Sequence, residues 1–392
     1  MLSQQQELKF LKSLFFLFGF LIMSWAPRLS EVKANLGLSN GEFGSLISTA
    51  AIGSFISLMT VGHLVHKYGV KVILQISALV LAISLLTMVH TSSTFIFLIA
   101  NIIWGSAISG FHISINSQGF SFQDRTHRSV ITVLSGAWSF GALVTSIIAG
   151  LLVGNISLTT HITVLTIITF AGMLYAISSI SQTLVKANLN PEKEYGFSDL
   201  FKGFEIQFAV SAGLISSLML EYAVGDWASI FLSEDMGIKT GINTLPYILF
   251  SVAMIVGRLN IHRLLENNSI IKMSKIASMT AGLAFLASIF LADYFSEKSQ
   301  LTVIVVLCIG FTFAGLGSSF LAPSFMNAAN TRSKYPSAVV MGQIGVTNII
   351  LAFVLRWIIA WTAELTSLTI ALAIPAVMLL TVPFFTKVLK KD

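Results

Sequence analysis

Leu218–Glu234 reads LMLEYAVGDWASIFLSE and sets two carboxylates, Glu221 and Asp226, in a run otherwise apolar enough to cross a bilayer. A charged side chain near the bilayer centre costs about 2.5–3.5 kcal/mol on insertion scales, so it normally faces a bundle interior or a watery cavity and has a task there. The stretch has an echo half a chain earlier. Trp25–Glu31 reads WAPRLSE and runs on through LGLS to Gly41, as Trp227–Glu234 reads WASIFLSE and runs on through MGIK to Gly241. A separation of about 200 residues is what two parallel repeats of one membrane unit would leave.

Composition agrees with a membrane setting. Of 392 residues, 55% are hydrophobic and only 10% charged, where soluble domains carry about 25% charged residues. A water-soluble globule is thereby excluded. Apolar runs of about 20 residues, each enough for a hydrocarbon core of about 30 Å, recur along the whole chain. By length they fall at about 8–29, 42–64, 71–90, 94–121, 129–153, 158–182, 205–232, 241–262, 272–293, 300–327, 337–359 and 365–386. The expected fold is all-α and integral to the membrane, with about twelve transmembrane helices in two pseudo-symmetric six-helix bundles. The first bundle is 1–182, the second 205–392, and between them 183–204 forms a cytoplasmic linker that contains the longest polar stretch, VKANLNPEKEYGFSDLFK (Val185–Lys202). The first apolar run has no evident small-residue cleavage site and reads as a retained helix. The repeat recurs elsewhere, since SAISGFH with Gly110 and then Arg125 matches AGLGSSF with Gly317 and then Arg332 at one spacing.

The net charge of +6 is spread over alternate loops rather than gathered in one patch, so topology explains it better than a nucleic-acid partner. Lys9, Lys12, Lys67, Lys71, Arg125, Arg128 and most other basic residues fall on one side; Arg28, Lys33, Lys239, Lys298 and Arg356 fall on the other. The positive-inside rule then puts both termini in the cytoplasm of a cell-membrane protein. The single cysteine, Cys308, leaves no intrachain disulfide and no cysteine-based metal site. No phosphate-binding glycine loop followed by Lys and Ser/Thr occurs, so neither ATP coupling nor a cofactor is expected, and nothing points to an enzyme.

Gly62–Lys71, GHLVHKYGVK, lies between the second and third predicted spans and resembles the signature loop of the major facilitator superfamily, G-x-x-x-D-R/K-x-G-x-R/K, with Gly62, Lys67, Gly69 and Lys71 matching. Gly257–Arg263, GRLNIHR, resembles the degenerate second copy of that loop through Gly257, Arg258 and Arg263. The resemblance covers essentially the whole chain and implies alternating rocking of two halves around a central site. It makes these residues, with Arg128, candidates for conformational control. His66 and His262 stand where the family usually has Asp. In relatives that Asp helps latch the halves on the cytoplasmic side by facing a helix N-terminus. An imidazolium would instead repel it, so a pH-sensitive latch and a tolerated substitution are both open readings. Within the superfamily, SWAPRLSEV, INSQG (Ile115–Gly119), SGAWSFG (Ser135–Gly141) and EYAVGDW resemble the fucose-permease-like branch of sugar and small-solute permeases. The fifth span holds Gly136, Gly141 and Gly150 but no proline, so it lacks the GP-containing antiporter motif of many drug-exporting relatives.

Glu221 lies about 11 residues, roughly 16 Å, from the outer end of its helix, which places it near the midplane. It is the candidate proton-coupling acid, taking up a proton on one side and releasing it on the other; the plainer alternative is a carboxylate hydrogen-bonded between helices. Asp226 is nearer the outer face and is a substrate-binding candidate, with a helix-end hydrogen bond or a partner such as Arg28 as the alternative. His112, Asn116 and Gln118 in the fourth span, Asn327 and Asn330 in the tenth, and Gln343 and Asn348 in the eleventh offer polar groups to a solute or to neighbouring helices. His112 and Asn116 share a helix face. Trp138, at mid-depth, offers an apolar face to a ring or packs within the bundle, and Trp104 reads mainly as packing. Trp25, Trp227, Trp357 and Trp361 lie toward the outer boundary, where an aromatic belt is usual. Three functions fit: a secondary, proton-coupled transporter of a small polar solute such as a sugar or related metabolite, acting as a monomer in the bilayer; an exporter of amphipathic compounds; and a membrane sensor that keeps the fold without transport.

Overall fold

The computed structural model describes residues 3–126, 130–180, 208–238, 241–266, 268–332 and 337–390. Arg128, the linker 183–204 and the side chains of His66, His262 and Asn330 lie outside the described residues. The first half of the chain gives α1 (Gln4–Ile22), α2 (Leu29–Leu36), α3 (Asn40–Ser48), α4 (Ala50–Tyr68), α5 (Val70–His90), α6 (Thr94–Thr126), α7 (Ile131–Leu152) and α8 (Leu158–Ser179). The second gives α9 (Phe208–Ile230), α10 (Leu245–Leu265), α11 (Ile270–Phe295), α12 (Gln300–Ser318), α13 (Leu321–Arg332), α14 (Ser337–Leu365) and α15 (Leu368–Phe385). Among the described residues these helices supply 12 spans long and apolar enough to cross a membrane, from Gln4–Leu36 to Leu368–Leu389. Hydrocarbon offers backbone groups no partner, so each span must satisfy its own amides as a helix. Large apolar side chains accordingly stand outward, Leu151 at 70% and Ile168 at 68% exposure among them.

Three spans are jointed. A 3₁₀ turn at Ala26–Arg28, containing Pro27, separates α1 from α2; Thr49 separates α3 from α4; Ser319 and Phe320 separate α12 from α13. Elsewhere the punctuation is side-chain capping. Ser157, Ser269, Ser299 and Ser367 each accept a hydrogen bond from a backbone N–H three residues on, satisfying one of the orphan donors at the start of α8, α11, α12 and α15. Gly69 joins α4 to α5 as a single residue with φ of 86°, a conformation that costs glycine little and other residues more.

The sequence repeat reappears as packing. Counting spans within each half, the first packs on the fifth and sixth, the second on the fourth, and the third on the fourth and sixth, and the same pairs recur among α9–α15. Repeat-related glycines sit at the same seam. A Cβ at Gly110 would lie 3.0 Å from Ser77 Oγ on α5, and one at Gly317 would overlap the Ala277 carbonyl oxygen on α11. Small residues there let backbones approach closely, the usual source of helix association in lipid.

Two compact units emerge: Met1–Trp25, Ala34–Gly37 and Leu46–Glu194 in one; Ala26–Lys33, Leu38–Ser45 and Tyr195–Asp392 in the other. The short early segments of the second unit are held within it by specific bonds. Lys33 pairs with Glu234, Glu364 accepts from Gly41 N–H at 3.1 Å, and Trp361 Nε1 donates to Ser45 Oγ at 3.0 Å. Trp227 is 1% exposed, so of the outer tryptophans it is a core residue of this unit rather than a belt anchor; Trp357, at 46%, keeps an open face.

Candidate functional site

In the second unit, α9 carries Glu221, Tyr222 and Asp226, and two arginines from neighbouring helices meet them. Glu221 lies thirteen residues from the start and fourteen from the end of the span Phe208–Asp235, a mid-span position. Its Oε2 is 3.2 Å from Arg258 Nη2 on α10, with about a third of each side chain exposed. Arg258 also donates through Nε to the Ser319 carbonyl at 3.0 Å, at the joint between α12 and α13. The sequence reading set Arg258 within the predicted span 241–262 while its motif resembled a copy of the signature loop; in the structure α10 runs unbroken through Gly257, Arg258 and Arg263.

The second pair is Asp226 with Arg356 of α14, Oδ2 to Nε at 3.1 Å. The guanidinium also lies 4.6 Å from the centre of the Tyr222 ring, within reach of a cation–π attraction. Asp226 therefore has Arg356 as its ion partner, while Arg28, which the sequence suggested, is clamped in a bidentate pair by Glu31 at 2.7 Å on both arms. Neither Asp226 Oδ2 nor Arg356 Nε makes an aligned hydrogen bond despite their closeness. Buried charges so arranged keep hydrogen-bonding capacity, which a polar ligand can satisfy. Asn348, eight residues before Arg356 on α14, adds a buried Oδ1 with no hydrogen-bond partner, its Nδ2 being spent on the Ile344 carbonyl at 2.9 Å.

Tyr222 and Arg356 were missed in the sequence as site residues. The signal was present: Arg356 interrupts the apolar span Gln343–Leu365 as Glu221 interrupts its own. Ending that span near 359 had made Arg356 look like a surface charge.

The first unit presents its candidates separately. His112 is exposed on α6, its ring 6.2 Å from Phe18, and Asn116 Nδ2 donates to the His112 carbonyl at 2.8 Å, so the shared face binds backbone and not ring. Gln118 is fully buried. Trp138 is half-buried on α7, and its backbone lies directly against Gly19 of α1. Gly136 has open space where a Cβ would go, whereas Gly141 is pressed on the Phe16 carbonyl. Trp104 is buried and meets Trp25 edge-on at 6.1 Å. In the second unit Asn327 is exposed and Gln343 fully buried. Of the signature residues, Gly62 and Lys67 lie within α4, with the Lys67 ammonium 5.1 Å from the Tyr68 ring; Lys71 in α5 donates to the Ser178 carbonyl at 3.0 Å. No cluster of metal-ligating side chains occurs among the described residues.

Residues 13–348 match the Major Facilitator Superfamily. An uncharacterized MFS-type transporter of Yersinia pestis is 25% identical over 94% of this chain and 92% of its own length. Membrane protein MosC of Rhizobium meliloti is 20% identical over 82% of this chain and 75% of its own. Among solved structures, a mutant of the nucleoside transporter NupG superposes with a TM-score of 0.77 at 14% identity, covering 98% of this chain and 100% of its own. The human organic anion transporter TETRAN superposes with a TM-score of 0.64 at 12% identity, covering 98% of this chain and 100% of its own.

Proposed function

The chain belongs to the Major Facilitator Superfamily, and we propose that it is a proton-coupled secondary transporter of a small polyhydroxylated solute, a sugar or a nucleoside. The bodies that rock in this reading are 1–182 and 205–392, in a cell membrane with both termini cytoplasmic. The observation that carries it is the mid-span pair of Glu221 and Arg258. Protonating Glu221 cancels one charge and releases Arg258 to its remaining bond at the Ser319 carbonyl, so proton uptake is tied to the joint between α12 and α13. A carboxylate and a guanidinium on separate spans do this without metal or cofactor.

The solute class rests on Tyr222, Asp226 and Arg356. A carboxylate accepts from adjacent hydroxyls, a guanidinium donates to ring or carbonyl oxygens, and an aromatic face covers the apolar side of a sugar or base. NupG, similar in fold, is by name a nucleoside transporter, which supports keeping nucleosides beside sugars. The test is an uptake screen in proteoliposomes of radiolabelled sugars and nucleosides, with and without an imposed pH gradient. Saturable uptake of one such solute, raised by inward proton flow, is expected. Dye efflux without polar uptake would favour the amphipathic exporter, and binding without flux the sensor.

A further inference from the structure

A lateral groove of the first unit, formed by α1, α7 and α8, plays no part in the solute reading. Its inner part, about 490 Å³, is walled by Phe16, Leu17, Phe140 and Gly172. Its outer part, about 620 Å³, is bordered by Gln6, Lys9, Ser178 and Ser179, and Phe10, Ser13 and Tyr175 belong to both. The two parts therefore form one channel along the protein surface, mostly apolar in the inner part apart from Lys12 and Ser13, and more polar at the end of the helices.

The apolar part is built rather than incidental. Gly172 of α8 lies against the Leu17 side chain of α1, where an added Cβ would stand 3.2 Å from Leu17 Cδ1. Phe16 meets Phe140 at 5.8 Å and Phe10 meets Tyr175 edge-on at 5.8 Å, so aromatic pairs form both walls. Phe140 and Tyr175 stay 58% and 68% exposed.

The charges at the mouth have one sign. Lys9 is exposed and borders the outer part, Lys12 lines the inner part, and Lys71 donates at 3.0 Å to the carbonyl of Ser178, which borders the outer part. The carboxylate of α1, Glu7, is buried and bound to Arg125 at 2.8 Å, and no acidic residue lines the groove among the described residues. Ammonium groups at a membrane surface above an apolar slot match a phosphate joined to an acyl chain.

We propose that this groove is a binding site for one anionic phospholipid, its phosphate held by Lys9 and Lys12 and an acyl chain lying along Phe16 and Phe140. The site is independent of the transport reading and holds for either leaflet, since it needs only the N-terminal end of α1 at a membrane surface. Binding of phosphatidylglycerol to the purified full chain in detergent, followed by native mass spectrometry, tests it. The double substitution K9Q/K12Q changes two surface side chains and is expected to weaken phosphatidylglycerol binding on the order of 30-fold while leaving phosphatidylcholine unaffected. Ala137→Trp, which fills the inner part, is expected to lower the binding of both lipids. Equal phosphatidylglycerol retention by wild type and K9Q/K12Q overturns the proposal. So does displacement of the lipid by millimolar inorganic phosphate, which would make the site one for a free anion.

Discussion

Asp226 and Arg356 face each other at 3.1 Å with 18% and 25% of their side chains exposed, so removing one charge strands the other. Arg356→Gln is expected to cost about 3–5 kcal/mol of stability, measured as a fall in Tm of the purified protein. The double substitution D226N/R356Q should recover most of that loss, because no lone charge remains. A double variant as unstable as the single would mean that Arg356 acts by packing on Tyr222. At this scale Glu221 stood out in the sequence because a charge breaks an apolar run far from its ends, whereas Arg356, also inside its span, was passed over because the predicted span ended near 359. Arg258 was hidden by its resemblance to a loop motif, and neither ion pair was readable. Glu221 and Arg258 are 37 positions apart on different helices, and spacing within one helix says nothing of a partner on another.

Glycines carry the close approaches between helices, and the structure separates those that do from those that do not. Gly317→Leu forces a side chain into the α11 backbone and is expected to destabilise by about 1–3 kcal/mol, whereas Gly136→Ala meets open space and should leave Tm unchanged or slightly higher. Thermal unfolding of the two variants in one detergent decides this. Equal losses would mean that both positions matter for backbone conformation and not for packing. Gly62 offers a further contrast, having nothing within 4 Å of its added Cβ. If it serves conformational change, Gly62→Ala should slow transport at unchanged Tm; if it is merely tolerated, both stay as in wild type. The matched pair Gly110 and Gly317 was readable from spacing alone. The joints at Thr49 and Ser319 were not, because an apolar run keeps its hydropathy through a bend.

For the whole molecule, twelve spans and a duplicated half could be read because hydrocarbon leaves the backbone one economical solution and because a repeat preserves spacing. The grouping of Ala26–Lys33 and Leu38–Ser45 with the second unit could not, since it depends on Lys33, Gly41 and Ser45 finding Glu234, Glu364 and Trp361 about two hundred to three hundred residues away. The solute was out of reach for the same reason: the residues proposed to bind it converge from α9 and α14. The central claim is that Glu221 couples proton movement to solute movement. It is tested most directly by the solute found in the screen, followed in proteoliposomes of wild type and Glu221→Gln under an imposed pH gradient and again in gradient-free exchange. Wild type should accumulate the solute above equilibrium, and the variant should exchange it at a comparable rate yet never accumulate it, because a permanently neutral side chain mimics only the protonated state. Accumulation by Glu221→Gln to the wild-type level would contradict the account.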